Sequence, residues 1–286
     1  MTYSAKALHT GLQIAQIRIH HTKFKEALDG IGRIVQIGHH LRQPVGASIV
    51  APAGAGKTLL IDAVQRNVCE WPFLRPHSVL VASLKESPTV AQIQNDLLES
   101  FSYAIPPRAR QQTNAILFNV LADAIDQHDI RLIALDEYQH VFLAQKEDVR
   151  SVIIDWTKRL MSRTGLPIVL SGTEMLRSIE QADAQLSTRI SSVFSLPEFR
   201  NDAEWRGVLT AFATAVREIS LSPLVEDYAN LVFKATKGTM RLLKMLVIEA
   251  AMITIDAGDS QVGKHHLKLA FDRMVGPDSF RDNPFE

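Results

Sequence analysis

Ala-Pro-Ala-Gly-Ala-Gly-Lys-Thr, at residues 51–58, is the stretch that decides the fold. An apolar run precedes it at 47–50 and an amphipathic run follows it at 59–68, which is the pattern of a strand, a loop and a helix. Free backbone N–H groups at a helix N-terminus bind anions, and glycines let the loop backbone approach a phosphate closely. The sequence therefore predicts a P-loop, with Ala51 in place of the first glycine of G-x-x-x-x-G-K-[ST].

The side chains of this loop predict ATP and Mg²⁺ as cofactors. Lys57 supplies a mobile positive charge for the β- and γ-phosphates, and the hydroxyl of Thr58 is a suitable ligand for Mg²⁺. A chance match to the pattern is the alternative, and the flanking strand and helix argue against it. The residues expected to hold the nucleotide are Gly54, Ala55, Gly56, Lys57, Thr58 and Leu59.

A pair of acidic residues follows a second predicted strand, at 131–135. Asp136, at the tip of that strand, is placed to hold Mg²⁺ in the Walker B role. Glu137 is placed to take a proton from an attacking water as general base. Simple G proteins lack this adjacent glutamate, whereas ATPases of the additional-strand class usually carry it. Two surface acids after a strand are the alternative interpretation.

The composition limits the class of protein. The chain has 286 residues, of which 46% are hydrophobic, enough for a large α/β domain and a smaller one. With 31 basic and 31 acidic side chains, any DNA contact must come from a local patch. Cys69 is the only cysteine, which excludes an intramolecular disulfide and fits a reducing cytoplasm. No apolar stretch reaches the length of a membrane span, so we expect a cytoplasmic protein without a membrane partner.

Three regions are predicted along the chain. Residues 1–45 form a basic helical segment, 46–200 an α/β nucleotide-binding core, and 201–286 a helical lid with a C-terminal tail. The core alternates near-continuous apolar strands with helices, which is typical of a parallel sheet sandwiched by helices. Its predicted strands are 47–50, 79–83, 132–135, 168–171 and 192–196, and its predicted helices are 58–69, 90–101, 113–127 and 149–164. The helices predicted in the lid are 205–216, 224–235, 239–257 and 263–275.

The basic segment has two interpretations. Its lysines and arginines outnumber its acidic residues, and its apolar residues form a helical stripe. It is either a helical face that packs on the next domain or a direct DNA contact. Two His-His pairs in this segment lack a nearby set of carboxylates or thiolates, so we assign them to the surface or to packing rather than to a metal.

Several further runs complete the pattern: Leu-Ile-Ala-Leu-Asp-Glu-Tyr-Gln-His at 132–140, Leu-Pro-Ile-Val-Leu-Ser-Gly-Thr at 166–173, Ala-Asp-Ala-Gln-Leu-Ser-Thr-Arg-Ile at 182–190, Leu-Pro-Glu-Phe-Arg-Asn-Asp-Ala-Glu-Trp at 196–205, Lys-Gly-Thr-Met-Arg-Leu-Leu at 237–243 and Asn-Pro-Phe at 283–285. With them the chain resembles an AAA+ ATPase, and more closely the TniB/TnsC family of transposition regulators related to MuB. The resemblance covers most of the chain and implies a P-loop AAA+ fold with a C-terminal helical lid. It departs at Ala51 and at Ile190, where glycine and an aromatic residue are expected. Neither departure removes a chemical group that ATP needs.

The resemblance assigns roles to four further residues. Ser171 or Thr173 corresponds to the sensor-1 group, which contacts the attacking water or the γ-phosphate; a hydroxyl that caps a turn is the alternative. Arg189 corresponds to the arginine finger, which reaches the nucleotide of a neighbouring subunit; an ordinary surface arginine is the alternative. Arg241, in a Gly-x-x-Arg run, corresponds to the sensor-2 arginine, which contacts the phosphates of its own subunit; a solvated side chain is the alternative.

Expectations about DNA and protein partners also follow from the resemblance. The loop after the predicted strand 79–83 occupies the position of the family's pore-facing segment. Because the chain has no net charge, a strong basic track requires repetition of subunits in a ring or helical filament around duplex DNA. The implied protein partners are a transposase and a TniQ-like target-selection protein, with the Asn-Pro-Phe tail and the N-terminal helix as docking candidates. The DNA-binding candidates are Lys85, Thr89 and Gln92, with Arg108 and Arg110 as further ones.

The expected function is an ATP-dependent, DNA-binding regulator of DNA transposition. ATP would assemble subunits on target DNA, the assembly would recruit the transposase, and hydrolysis would disassemble it. One alternative is a helicase loader or replication initiator of the same fold, although an initiator more often carries a separate helix-turn-helix domain. Another is a nucleotide-gated binding module with negligible turnover, against which the intact Glu137 argues.

Overall fold

The computed structural model of the protein describes residues 2–41, 43, 45–75, 77–101, 114–144, 147–276 and 280–286. The strands are β1 (Gly46–Val50), β2 (Val79–Ser83), β3 (Leu132–Asp136), β4 (Ile168–Gly172) and β5 (Ser192–Ser195). The helices are α1 (Ala5–Gln16), α2 (Thr22–Leu41), α3 (Lys57–Gln65), α4 (Val90–Glu99), α5 (Asn114–Gln127), α6 (Gln139–Leu143), α7 (Glu147–Thr164), α8 (Ile179–Ala182), α9 (Ala184–Arg189), α10 (Ala203–Ala215), α11 (Pro223–Glu226), α12 (Ala229–Thr236), α13 (Met240–Ala257) and α14 (Lys264–Val275). A 3₁₀ helix, Glu174–Ser178, follows β4.

The chain divides into two compact units. One is Thr22–Leu196, and the other combines Met1–His21 with Pro197–Glu286. The division differs from the three predicted regions because the two N-terminal helices pack on different cores: α1 lies along α13, whereas α2 packs on β1, β5 and α3. The basic N-terminal segment therefore does not behave as one structural piece.

The strands form one parallel sheet in the order β2-β3-β4-β1-β5. β4 pairs with β1 on one side and with β3 on the other, so an additional strand separates the P-loop strand from the strand that carries the acidic pair. Each predicted strand lies within one residue of an observed one. Parallel strands bring their carboxyl ends to one edge, and the P-loop, Asp136 and Ser171 all follow or end strands at that edge.

Burial on both faces explains the near-continuous apolar runs of the strands. In β3, Ile133 and Leu135 contribute to one hydrophobic core with α4, α5 and α7, whereas Leu132 and Ala134 contribute to the other core with α2 and α3. Successive side chains of a strand point to opposite faces, so a sheet covered on both sides needs apolar residues at every position. The predicted parallel sheet sandwiched by helices is confirmed.

The second unit is helical in its described part, with one isolated β-bridge between Ser220 and Gln261. Trp205 and Phe212 of α10 are buried in its core with apolar residues of α12, α13 and α14. The single helix predicted at 224–235 is wrong, because α11 ends at Glu226 and α12 begins at Ala229. Tyr228 donates its N–H to the carbonyl of Pro223 at 2.9 Å, which closes the first helix before the second begins.

The Asn-Pro-Phe tail is folded onto this unit. Phe285 is 2% exposed, and its ring lies edge-on to that of Phe271 at 6.4 Å between centroids. The amide of Asn283 donates to the carbonyl of Lys268 at 3.0 Å and to Asp272 at 2.7 Å. In this conformation the aromatic side chain is part of a core, so it is not an exposed docking segment as the sequence led us to expect.

Candidate nucleotide site

The P-loop has the backbone that its glycines predict. Gly54 has φ +80° and Gly56 has φ +101°, a left-handed conformation that other residues adopt only with strain. Helix α3 begins directly after this turn, at Lys57, so its first N–H groups face the loop. Ala51 has no left-handed backbone and donates its N–H to the carbonyl of Gly172 at 3.0 Å, which continues the β1–β4 ladder. The missing first glycine is therefore tolerated, because this position behaves as strand.

Lys57 lies over the loop that precedes it. Its side chain is buried, and its Nζ donates to the carbonyl oxygens of Ala51 at 3.0 Å and Pro52 at 3.2 Å. Carbonyl oxygens are neutral acceptors, whereas phosphate oxygens form stronger charge-assisted bonds with an ammonium group. The carbonyl contacts hold the lysine within the loop, and hydrogen bonds to a bound phosphate would be stronger than these contacts.

Thr58 and Asp136 meet across the sheet edge. The hydroxyl of Thr58 donates to Oδ2 of Asp136 at 3.0 Å, and the backbone N–H of Glu137 donates to Oδ1 of Asp136 at 2.9 Å. Asp136 is only 4% exposed and makes no salt bridge among the described residues. A buried carboxylate beside a hydroxyl offers two hard oxygen ligands to a divalent cation, so this pair fits Mg²⁺.

Glu137 lies in a strained turn after β3. Its φ is +56°, in the left-handed region that is unusual for a residue with a long side chain. The next residue, Tyr138, donates its N–H to the carbonyl of Ser171 at 2.8 Å, which ties the turn to the end of β4. The carboxylate of Glu137 accepts a hydrogen bond from the amide of Gln139. Local strain of this kind tends to occur at functional sites.

Tyr138 also anchors the turn to α7. Its side chain is completely buried, and burial raises the pKa of its hydroxyl, which therefore stays protonated. The hydroxyl lies 3.2 Å from Oγ1 of Thr157. Because Thr157 already donates its own proton to the carbonyl of Ile153 at 2.9 Å, Tyr138 is the donor in this pair. The turn after β3 is thus fixed to both β4 and α7.

Of the two predicted sensor-1 residues, Ser171 lies near the carboxyl end of β4. It is fully buried in β4, opposite Ile49 of β1, and its hydroxyl has no hydrogen-bond partner among the described residues. A buried hydroxyl without a partner is costly, so it indicates a position reserved for a ligand or water. Thr173 instead precedes the 3₁₀ helix and accepts the N–H of Leu176 on its carbonyl at 3.0 Å.

Arg189 is the last residue of α9 and is half-buried. One terminal nitrogen of its guanidinium group donates to the carbonyl of Lys158 at 2.8 Å and to the hydroxyl of Ser162 at 2.7 Å, both in α7. The other end of α9 is also fixed to α7, because Lys158 pairs with the capping residue Asp183 at 2.8 Å. The hydrogen bonds that Lys158 donates to the carboxylates of Asp183 and Asp155 raise its pKa, so it carries its charge throughout the neutral range. The guanidinium group of Arg189 is therefore fixed to α7 by hydrogen bonds.

The remaining predicted site residues are not brought to this edge by described contacts. Arg241, the second residue of α13, belongs to the helical unit, so its sensor-2 role stays a prediction. Lys85 is exposed in the loop after β2. Thr89 caps α4 by accepting the N–H of Gln92 at 3.3 Å, which gives its hydroxyl a structural role. Arg108 and Arg110 lie outside the described residues.

A cleft of about 550 Å³ lies beside the predicted DNA-binding loop. Glu86 and Thr89 line one part of it, and His140 and Leu143 of α6 line another. The cleft therefore joins the loop after β2 to the segment that follows the acidic pair. Its described lining includes the acidic Glu86 and the imidazole of His140.

Among the described residues, one group with side chains of the metal-ligand type lies in the helical unit: Asp259, His265 and His266. The N–H of Gly263 donates to Nδ1 of His266 at 3.0 Å, so a neutral ring carries its proton on Nε2, which faces Asp259 at 3.0 Å. Burial lowers the pKa of His266 and favours that neutral form. A metal would need the Nε2 lone pair, which the proton occupies. The histidine is therefore explained as a cap of α14.

Gln139 lies in the run 132–140, but the sequence pattern gives it no role. A polar residue within an otherwise buried turn was the available signal. Its contact with Glu137 depends on a turn geometry that the sequence pattern did not predict. Separately, no helix in the described parts of the chain is both long and apolar enough to cross a membrane.

Several solved structures, among them ORC proteins, resemble this fold. The structure of the Aeropyrum pernix ORC2 protein in ADPNP–ADP complexes superposes with a TM-score of 0.68 at 15% identity, over 93% of this chain and 70% of that one. The Aeropyrum pernix ORC1 protein in complex with DNA gives a TM-score of 0.66 at 14% identity, over 90% and 66%. Drosophila ORC bound to DNA gives 0.61 at 14% identity, over 96% and 67%. At these identities the likeness establishes the AAA+ fold.

No curated protein gives a significant sequence match. The family described as "TniB: Bacterial TniB protein" matches residues 12–201, which include the P-loop, the acidic pair, Ser171 and Arg189. The match covers more than half of the chain and every strand of the sheet. With its P-loop, its parallel sheet and its AAA+ structural neighbours, this chain belongs to the TniB family.

Proposed function

We propose that this protein binds ATP with Mg²⁺ at the P-loop, hydrolyses it, and uses the cycle to assemble on target DNA as a regulator of transposition. The observation that carries the nucleotide part is the hydrogen bond of 3.0 Å between Thr58 and Asp136, a buried carboxylate that forms no salt bridge with any described residue. It brings the P-loop helix and the strand of the acidic pair together, which supports this pair as the proposed cation site. Lys57 is adjacent to Thr58 in the chain and supplies the charge for the phosphates.

Each residue of the edge has a distinct part in the proposed reaction. When bound, Mg²⁺ would neutralise the phosphate charge that develops during cleavage, with Thr58 and Asp136 as its protein ligands. Lys57 would bind the phosphate oxygens, and the hydroxyl of Ser171 would orient the γ-phosphate or the attacking water. Glu137 would accept the proton of that water. Arg189, presented to a neighbouring subunit, would stabilise the charge on that subunit's γ-phosphate.

The DNA part of the proposal rests on the family and on the fold. ORC proteins with this fold have been solved with DNA, which supports duplex DNA as the polyanion for this chain. Because the basic and acidic side chains balance, one subunit offers few phosphate contacts, and repetition in a ring or filament would be needed for tight binding. Within such an assembly, Lys85, Thr89 and Gln92 are the residues we propose to face DNA. A transposase and a TniQ-like target-selection protein are the proposed protein partners.

A helicase-loader or replication-initiator function is the second candidate, because the similar solved structures include ORC and Cdc6 proteins. The two functions share nucleotide chemistry but differ in partner. Family membership favours transposition, since the match to TniB spans the whole nucleotide-binding unit after α1.

Two experiments test the proposal in sequence. Steady-state hydrolysis of ATP with and without duplex DNA tests the enzyme part, and absence of Mg²⁺-dependent turnover under both conditions would reject it. A strand-transfer assay with an integrase-type transposase tests the regulatory part. We expect the protein with ATP to stimulate insertion, and to direct it to DNA on which the protein has assembled. Unchanged insertion, together with stimulated loading of a helicase, would favour the second candidate.

A further inference from the structure

Gln139 is the first residue of α6, two positions after Glu137, and no role follows for it from the P-loop or the acidic pair. It is only 6% exposed. Its Nε2 donates to the Oε2 oxygen of Glu137. Amide orientation is fixed by chemistry in this pair, because the flipped amide would place its oxygen against a carboxylate. Gln139 therefore contacts the proposed base directly.

The side chain of Gln139 is confined by the end of β4. A Cβ atom added to Gly172 would lie 2.6 Å from Oε1 of Gln139 and 3.0 Å from Cγ of Leu176. The amide thus occupies space that only a glycine at 172 leaves open. Its Oε1 atom is buried and has no hydrogen-bond partner among the described residues. The packing, rather than a second hydrogen bond, holds the amide in place.

The backbone around Glu137 is fixed independently. Its own N–H is bonded to Asp136, and the N–H of Tyr138 is bonded to Ser171, so the turn cannot shift without losing both contacts. What remains free is rotation of the glutamate side chain. The bond from Gln139 restricts that rotation and holds the carboxylate at the edge where the strands end.

We infer that Gln139 is a positioning residue that holds the carboxylate of Glu137 in the orientation needed to accept a proton from the attacking water. This inference rests on the proposed ATPase function and adds to it the group that orients its base. Catalytic groups are held in a productive geometry by neighbours that are themselves locked by packing, which is the situation of Gln139. Its unpartnered Oε1 is in addition available to accept a hydrogen bond from a water molecule.

Gln139→Met is the first test, because methionine preserves length and apolar packing against Gly172 and Leu176 but lacks the amide. We expect kcat for ATP hydrolysis to fall roughly 10- to 100-fold, the usual effect of losing a partner that orients a catalytic group, while KM changes little. Gln139→Glu, which keeps the shape but opposes the charge of Glu137, should lower kcat at least as much. Gln94→Met is the matched control: Gln94 is also fully buried in this unit, with its amide bonded to Asn114 at 3.2 Å, and should keep near wild-type kcat.

A double-mutant cycle separates positioning from a structural role. In a Glu137→Gln background, Gln139→Met should lower the residual rate by less than about twofold, because the group it orients is already gone. A full additional loss in that background, or wild-type kcat for Gln139→Met alone, would overturn the inference. If Glu137→Gln itself hydrolyses ATP at the wild-type rate, the proposed base is wrong and the inference falls with it. The three results are distinguishable from one another in a single set of four proteins.

Discussion

The hydroxyl of Thr58, at the start of α3, lies 3.0 Å from Oδ2 of Asp136, at the end of β3. The two residues are 78 positions apart in the chain. The strand before the P-loop, β1, and the strand of Asp136, β3, are separated by β4. Their contact means that the P-loop and the acidic pair act at one place on the sheet edge. It gives a buried carboxylate a hydroxyl neighbour and leaves its charge for a cation to neutralise.

Replacing Thr58 should therefore affect the requirement for Mg²⁺. Thr58→Val keeps the shape and removes the hydroxyl, so the Mg²⁺ concentration for half-maximal hydrolysis should rise at least roughly tenfold. Thr58→Ser retains the hydroxyl and serves as the control, which should stay close to wild type. Equal Mg²⁺ titrations for the valine and serine variants would remove Thr58 from the cation site.

Lys57→Ala should abolish ATP binding. The substitution removes a charge-assisted contact worth about 1.5–3 kcal/mol, and more in a site from which water is excluded. It also frees the carbonyls of Ala51 and Pro52, which then face any phosphate in the loop. Isothermal titration calorimetry with ATP and Mg²⁺ measures the effect. Nucleotide affinity equal to that of the wild type would defeat the P-loop assignment.

Glu137→Gln should bind ATP normally and hydrolyse it slowly. Glutamine keeps the size of the side chain but cannot accept the proton, so single-turnover hydrolysis should slow by roughly 10²–10⁴-fold. Trapped ATP should also prolong the lifetime of assemblies on DNA, which a competitor-chase experiment would detect. Turnover close to that of the wild type would mean that another residue is the base.

Arg189→Ala should leave ATP binding by the monomer nearly intact while it reduces both assembly and hydrolysis. Lysine should substitute poorly, because it lacks the planar fork of the guanidinium group. Arg177→Ala is a matched control, since Arg177 is exposed in the same unit and bonds to Glu174 and Ser195. Its ATPase activity should remain near that of the wild type.

Mixing Arg189→Ala with Lys57→Ala subunits distinguishes a role in trans from one in cis. Each variant alone is expected to be inactive, but a mixed interface joins an intact P-loop to an intact Arg189. Some DNA-stimulated hydrolysis should therefore return at intermediate ratios. If no ratio restores turnover, while wild-type subunits diluted in the same way stay active, Arg189 is a structural residue that fastens α9 to α7.

DNA binding should require ATP, show little sequence preference and weaken with salt. Fluorescence anisotropy across a salt series should give a steep negative slope of log K against log salt, roughly −0.9 per phosphate contacted. Lys85→Ala should make the slope shallower, whereas Lys234→Ala, an exposed lysine of α12, should not. Tight binding by an ATP-free monomer that is insensitive to salt would contradict an assembly-based contact.

The strands and the P-loop could be predicted because their signals are local. Mostly apolar runs of five residues define β1 to β4, and the glycines of the loop are required by its left-handed backbone. The division into units could not be predicted in this way. Helices α1 and α2 are both amphipathic, and an apolar stripe shows that a helix is buried without showing which core receives it.

The contacts that position the site residues could not be predicted from the sequence either. The guanidinium of Arg189 is held by α7, whose contacting residues lie 27 and 31 positions earlier. Gln139 contacts Glu137 in a turn after β3 in which Glu137 has a left-handed backbone conformation. The sequence makes the Asn-Pro-Phe tail a docking candidate, whereas Phe285 is buried in the core that also contains Phe271 of α14.

Thr157 and Lys158 are consecutive residues of α7, yet Thr157 bonds to Tyr138 beside the acidic pair and the carbonyl of Lys158 holds Arg189. One rigid peptide unit therefore connects the turn that carries a subunit's own base to the arginine proposed for its neighbour. In an assembled filament, a movement of that turn after hydrolysis would alter the arginine's support without passing through a flexible loop. The support of Arg189 would then depend on the nucleotide state of the subunit that carries it.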